Sequence, residues 1–138
     1  MSYKFVDPTD ELLEIHGSSV GQSCMDIAAT TGGQNSGHKL LTMLDDEELR
    51  GWIILNEEDE YRGFICGAVS HYENGKTYTF VGAEGISEGR IDEFDHFCIS
   101  VAAHYDCVAY EIKGRRGFLK LLAKYGMKEE YVVMRREL

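Results

Sequence analysis

The order of elements read from the sequence predicts an α/β domain with a mixed sheet, a three-strand meander followed by a strand–helix–strand–helix–strand run. Three observations carry that reading. Asn74-Gly75 is the strongest hairpin signal in the chain and lies between two strand-like runs. Ile91, Phe94, Cys98, Val101 and Tyr105 recur at spacings of three and four, the apolar face of a helix laid on a sheet. Trp52–Leu55 and Cys107–Ile112 are apolar runs of strand length.

Tyr3–Val6 alternates briefly and reads as a first strand, ended by Asp7-Pro8. Thr9 or Asp10 can cap a helix through about His16, with Leu12, Leu13 and Ile15 as its apolar side. Gly17–Gly37 is rich in Gly, Ser and Thr and carries no clear period; Gly32-Gly33 and Asn35-Ser36-Gly37 mark a loop. His38–Leu49 resumes a helical pattern through Leu40, Leu41, Leu44 and Leu49. Trp52–Leu55, Arg62–Tyr72 and Lys76–Val81 form the meander, with an acidic turn at Asn56–Glu60. Gly82–Gly89 holds three glycines and leads into a helix over Arg90–Tyr105. Cys107–Ile112 is a buried strand, Arg116–Tyr125 a helix stopped by Gly126, and Met127–Arg135 a last strand. The order is β-α-α-β-β-β-α-β-α-β, without internal repeat or linker, so residues 1–138 read as one domain.

A chain of 138 residues with 43% apolar and 11% aromatic residues can bury a core and is not of disordered composition. No apolar run approaches the ~20 residues that cross a bilayer, and the first ten residues lack a basic region followed by an apolar stretch. A soluble, unsecreted protein is expected. Cys24, Cys66, Cys98 and Cys107 show no C-x-x-C pair or zinc-ligand spacing, and Cys66 and Cys98 sit among apolar neighbours as core residues. His96 and His104 are eight apart, not the i, i+4 pair of a helical metal site, so no metal is expected. The net charge of −10 is unevenly spread. Residues 1–112 hold six Lys/Arg against 21 Asp/Glu, while residues 113–138 hold eight against three. An acidic body repels nucleic acid and anionic membrane; the basic end suits an acidic protein surface or is simply a solvated helix face.

The element order, clearest from Gly51 onward, resembles the GNAT (N-acetyltransferase) superfamily. Leu121–Met127 (Leu-Leu-Ala-Lys-Tyr-Gly-Met) is similar to that family's helix-ending Leu-Tyr-Glu-Lys-Leu-Gly-Phe. Gly114-Arg115-Arg116-Gly117-Phe118 also resembles a stretch of small phage-encoded GNAT relatives, some packaged inside virions. The resemblance implies an acetyl-CoA site whose pyrophosphate lies on backbone N–H groups where the first sheet-packing helix begins. The family's Gln/Arg-x-x-Gly-x-Gly/Ala would fall on Gly82-Ala83-Glu84-Gly85-Ile86-Ser87, giving Gly82, Gly85 and Ser87 as a divergent cofactor loop. Glu84 and Glu88 flank it, and Asp92 and Glu93 follow in the first turn. A carboxylate about 5 Å from a phosphate costs on the order of 1 kcal/mol even in water-like surroundings. Those acids instead suit a helix N-terminus without a ligand.

The family's proton-donating Tyr aligns with Leu122, with Tyr125 three positions later, and its Asn and Ala fall at Arg115 and Phe118. Glu84 and His71 are candidates for a general base, and Tyr125 for a general acid. The leading expectation is therefore a degenerate GNAT-fold protein, phage-encoded, with a virion component as its specific form, acting by contact with other proteins or copies of itself. It would reside in a bacterial host's cytoplasm or in the phage particle, with Arg115, Arg116, Lys120 and Lys124 as its contact residues. The alternatives are an acetyl-CoA-dependent N-acyltransferase on a small amine or protein, and an acidic inhibitor or nucleic-acid mimic aimed at a host protein.

Overall fold

The computed structural model describes residues 2–30, 36–113 and 120–128, with Met134 and Arg136 beyond them and only the backbone of Glu88. Five strands, β1 (Lys4–Val6), β2 (Arg50–Leu55), β3 (Tyr61–Tyr72), β4 (Gly75–Glu84) and β5 (Ala109–Ile112), form one sheet in chain order. The first four pair antiparallel and β5 joins β4 in parallel. Helices α1 (Asp10–Ala29) and α2 (Gly37–Asp45) precede β2, and α3 (Ile91–His104) carries the chain from β4 to β5. Residues 120–122 are helical and run into a 3₁₀ turn, Ala123–Tyr125. The mixed α/β class and the order of elements agree with the sequence. The last expected strand and the start of the last helix lie outside the described residues.

Side-chain alternation along the strands divides the core into two layers. On one face Ile53, Leu55, Phe64 and Cys66 pack under Val20, Cys24, Ile27 and Ala28 of α1 and Leu40 of α2. On the other, Trp52, Ile65, Tyr78 and Phe80 pack under Ile91, Phe94, Cys98 and Ala102 of α3 and under Leu122. Three of the five positions predicted for the α3 face, Ile91, Phe94 and Cys98, are buried in this core, while Val101 and Tyr105 are only half-buried at its margin and Ala102 is buried. Cys24, Cys66 and Cys98 are buried thiols; burial pushes Cys24 up to about 11 and Cys66 up to about 12, out of the reactive range.

The sequence reading ends the first helix near His16, whereas α1 continues to Ala29. Its Thr9 cap accepts a hydrogen bond from the Leu12 N–H at 3.2 Å. Gly17 and Gly21 each cost helix propensity of about 1 kcal/mol. Burial of Val20, Cys24, Ile27 and Ala28 along one stripe outweighs that cost, because tertiary packing supplies most of a helix's stability. The second helix stops at Asp45 rather than Leu49; Leu49 instead donates its N–H to the Met43 carbonyl at 3.1 Å and buries its side chain.

Candidate functional site

The parallel ladder of β4 and β5 runs only from Thr77–Ala109 to Phe80–Ile112, with Lys113 N–H closing it on the Phe80 carbonyl at 3.1 Å. β4 continues to Glu84, so its last three residues pair with β3 but with no described strand on the β5 side. A bulge sits where they diverge: Gly67 pairs with Phe80 and Cys66 with Gly82, leaving Val81 as the extra residue. The bulge reverses the alternation beyond it. Tyr78 and Phe80 face α3, but Val81 and Gly82 both face α1, Ala83 returns to the α3 side, and Glu84 points toward α1.

This parity decides which face each residue at the start of the Gly82–Ser87 segment serves. Gly82 and Glu84 are strand residues, and Ile27 lies so close over Gly82 that a Cβ there would sit 2.2 Å from its Cγ2. Gly85 turns the chain out of the sheet with φ +90°, and Ser87 is exposed ahead of the 3₁₀ turn Glu88–Arg90. The N–H groups that open α3 belong instead to the segment after Arg90, which stands at the N-cap with no side-chain capping bond. Asp92 and Glu93 occupy that first turn. Glu93 accepts from the Tyr3 N–H and from Arg90 Nη1, both at 2.7 Å, and the Arg90 guanidinium lies 5.1 Å over the Tyr3 ring. Asp92 accepts a hydrogen bond from the Tyr125 hydroxyl. The positive end of this helix is thus answered by the chain's own carboxylates.

Of the expected catalytic residues, Tyr125 does reach the start of α3, but its hydroxyl is committed to Asp92, which pushes it up to about 12. Leu122, at the position of the family's Tyr, is fully buried in the α3-side core. His71 and Glu84 do not come together. His71 pairs with Lys76 near the hairpin and Glu84 pairs with Phe64, eight residues along β4. At about 3.3 Å per residue these are opposite ends of the sheet. Lys120 and Lys124 are exposed, with the Lys124 ammonium 5.2 Å from the Tyr125 ring centroid. Arg115 and Arg116 lie outside the described residues. Among the described residues no group of three metal-binding side chains occurs, and no helix is long and apolar enough to cross a membrane.

Glu84 has partners that the sequence reading missed. Ser23 Oγ donates to it at 2.9 Å and lies 2.7 Å from the Tyr61 hydroxyl, and Asp26 is within hydrogen-bonding reach. Ser23 follows Val20 by three and precedes Ile27 by four, so an α1 extended through this stretch would have turned it inward. Burial raises the Glu84 carboxyl above its ordinary value and Asp26 raises it further, while the Ser23 bond opposes both. With the folded value above the unfolded one, the protonated carboxyl stabilises the fold, fully so below the ordinary carboxylate range. That contribution is lost as pH rises through the raised value. Glu84→Gln, which mimics the protonated form, should melt like the parent at about pH 4 and above it at about pH 8. A difference in melting temperature that does not grow with pH would contradict this placement.

No family model and no curated protein matches the chain. Its fold, however, is that of the GNAT acetyltransferases. A protein described as an acetyl transferase from Pyrococcus furiosus superposes with a TM-score of 0.72 at 14% identity, covering 99% of this chain and 100% of its own. Glucosamine-6-phosphate N-acetyltransferase from Arabidopsis thaliana gives 0.62 at 13% identity, with 99% of each chain covered. An acetyltransferase from Clostridium acetobutylicum, solved with acetyl-CoA, gives 0.63 at 11% identity over 97% of this chain and 95% of its own. At such identities the likeness speaks for the fold.

Proposed function

We propose that this chain uses the GNAT fold as a scaffold for contact with other proteins and has little or no acyltransferase activity. The observation that carries the reading is the start of α3, where Asp92 and Glu93 already accept hydrogen bonds from Tyr125, Tyr3 and Arg90. An acyl-CoA pyrophosphate would have to displace those contacts and sit against two carboxylates. The contact surface is the basic end of the chain, Arg115, Arg116, Lys120 and Lys124, facing an acidic protein or the acidic body of a second copy. The likeness of Gly114–Phe118 to small phage-encoded relatives makes a virion component of a phage the specific form of this proposal, located in the bacterial cytoplasm or the particle.

Acetyl-CoA at 100 times its dissociation constant would stabilise the fold by about 2.7 kcal/mol. No shift in melting temperature is expected at millimolar acetyl-CoA. Lys120→Glu with Lys124→Glu should abolish association, followed by light scattering, at unchanged melting temperature. Micromolar binding by calorimetry would overturn the proposal. It would favour a second reading, an acetyl-CoA-dependent N-acyltransferase acting on a small amine or protein. The observation on that side is the carboxyl of Glu84 at the end of the diverging β4, raised above its ordinary value in the direction that suits a general base.

A further inference from the structure

A cavity of about 270 Å³ opens on the α3 side of the sheet, between the last turns of α3 and the first residues of β2. Through the register Arg50 is level with Gly67 and Phe80, and Glu84 with Phe64 and Ile53, so the cavity lies about three residues back along the sheet from Glu84 and two strands away from it. Its floor and walls are Trp52, Phe97, Val101 and Tyr105; its rim carries Asp7 and Arg50. The aromatic wall is held from behind. Phe97 stacks on Phe5 at 4.4 Å and meets Trp52 edge-on at 5.2 Å, and Tyr105 stacks on Tyr78 at 5.4 Å. These contacts fix the ring orientations before any ligand arrives.

The rim holds two opposite charges side by side, with Arg50 Nη2 3.1 Å from Asp7 Oδ1. Arg50 also hydrogen-bonds the Tyr105 side chain, and the two contacts together still leave several of the guanidinium's five N–H groups and the second Asp7 carboxylate oxygen available. A ligand carrying both a carboxylate and an ammonium on one carbon can therefore bind Arg50 through the first and Asp7 through the second, without breaking the pair. An apolar ring attached to that carbon would point down onto Trp52 and Phe97. The volume lies just below that of drug-sized pockets and suits a molecule the size of one amino acid.

We infer that this cavity binds a free aromatic α-amino acid, its zwitterionic head on Asp7 and Arg50 and its ring against Trp52, Phe97 and Tyr105. The inference is independent of whether the protein binds acetyl-CoA. Trp52 is the chain's single tryptophan, so its emission reports occupancy of this cavity directly. Titration with L-phenylalanine should give a saturable change in that emission in the millimolar range or below. Phenethylamine and 3-phenylpropionate, each lacking one head group, should bind about tenfold more weakly. Asp7→Asn should reduce L-phenylalanine to the affinity of 3-phenylpropionate, and Arg50→Gln to that of phenethylamine. Val101→Phe should fill the cavity and abolish the response; Ser100→Phe, at an exposed rim position, should block it with the core untouched. The inference is overturned if L-phenylalanine gives no saturable change, if either half-analogue binds as well, or if the folded Ser100→Phe variant binds normally.

Discussion

Truncating Phe94 to alanine should lower the stability of the protein by about 3–5 kcal/mol, the usual cost of deleting a buried ring and leaving a cavity. Phe94 is fully buried in the layer formed by Trp52, Ile65, Tyr78, Phe80 and Leu122, so the vacated space is bounded by strand side chains that cannot collapse into it. Ile99 lies on the same helix with half its surface exposed, and Ile99→Ala should change stability by no more than about 0.5 kcal/mol. Urea unfolding checks both: the midpoint should fall steeply for Phe94→Ala and hold for Ile99→Ala, at an unchanged slope. Similar responses from the two would mean that α3 is rotated on the sheet.

The contrast between Phe94 and Ile99 also shows why this half of the fold could be read from sequence. An amphipathic helix and a two-residue hairpin turn are local patterns, and each fixes its own register. The hairpin that Asn74-Gly75 signals does join β3 to β4, but Glu73-Asn74 form its loop between the paired Tyr72 and Gly75, and Gly75, with φ +125°, begins β4. The α1 segment was not legible because its decisive interactions are not local. Gly17, Ser18, Ser19 and Gly21 speak against a helix on propensity, and only the sheet beneath Val20, Cys24 and Ile27 overrides them.

The surroundings of the candidate site were hidden in sequence for a related reason. The family resemblance lays a phosphate loop on Gly82–Ser87, and a glycine permits close approach of anything, protein backbone and side chains included. Gly82 admits Ile27 of α1, and the Val81 bulge beside it decides which face Glu84 serves. A bulge is a property of pairing between two strands and leaves no periodic trace in either one. Glu84 was therefore named as a candidate while Ser23, Tyr61 and Asp26 around it were not. The acids that oppose a pyrophosphate are Asp92 and Glu93 at the helix start, and Glu84 belongs to the α1 side.

Gly85→Ala should cost about 3 kcal/mol or more, and the loss should appear as unfolding with no ligand present. Two independent demands fall on this residue. Its φ of +90° is a conformation that residues with a Cβ rarely adopt. A Cβ built there would also sit 2.0 Å from the Arg62 carbonyl oxygen and 2.8 Å from the Gly63 Cα, both rigid backbone. Gly63 answers from the other strand, where a Cβ would meet the Glu84 carbonyl oxygen at 1.9 Å. The end of the β3–β4 pair is thus a backbone crossing that excludes side chains from both strands, and it holds Glu84 under Ser23. Ser87, exposed two residues on, meets no such demand, so Ser87→Ala should be neutral within about 0.5 kcal/mol. If these positions instead served to cradle a phosphate, both substitutions would weaken acetyl-CoA binding and leave the melting temperature of the free protein near that of the parent. Thermal melts with and without acetyl-CoA separate the two accounts: a free Gly85→Ala variant melting within a degree or two of the parent would remove the structural role assigned to Gly85.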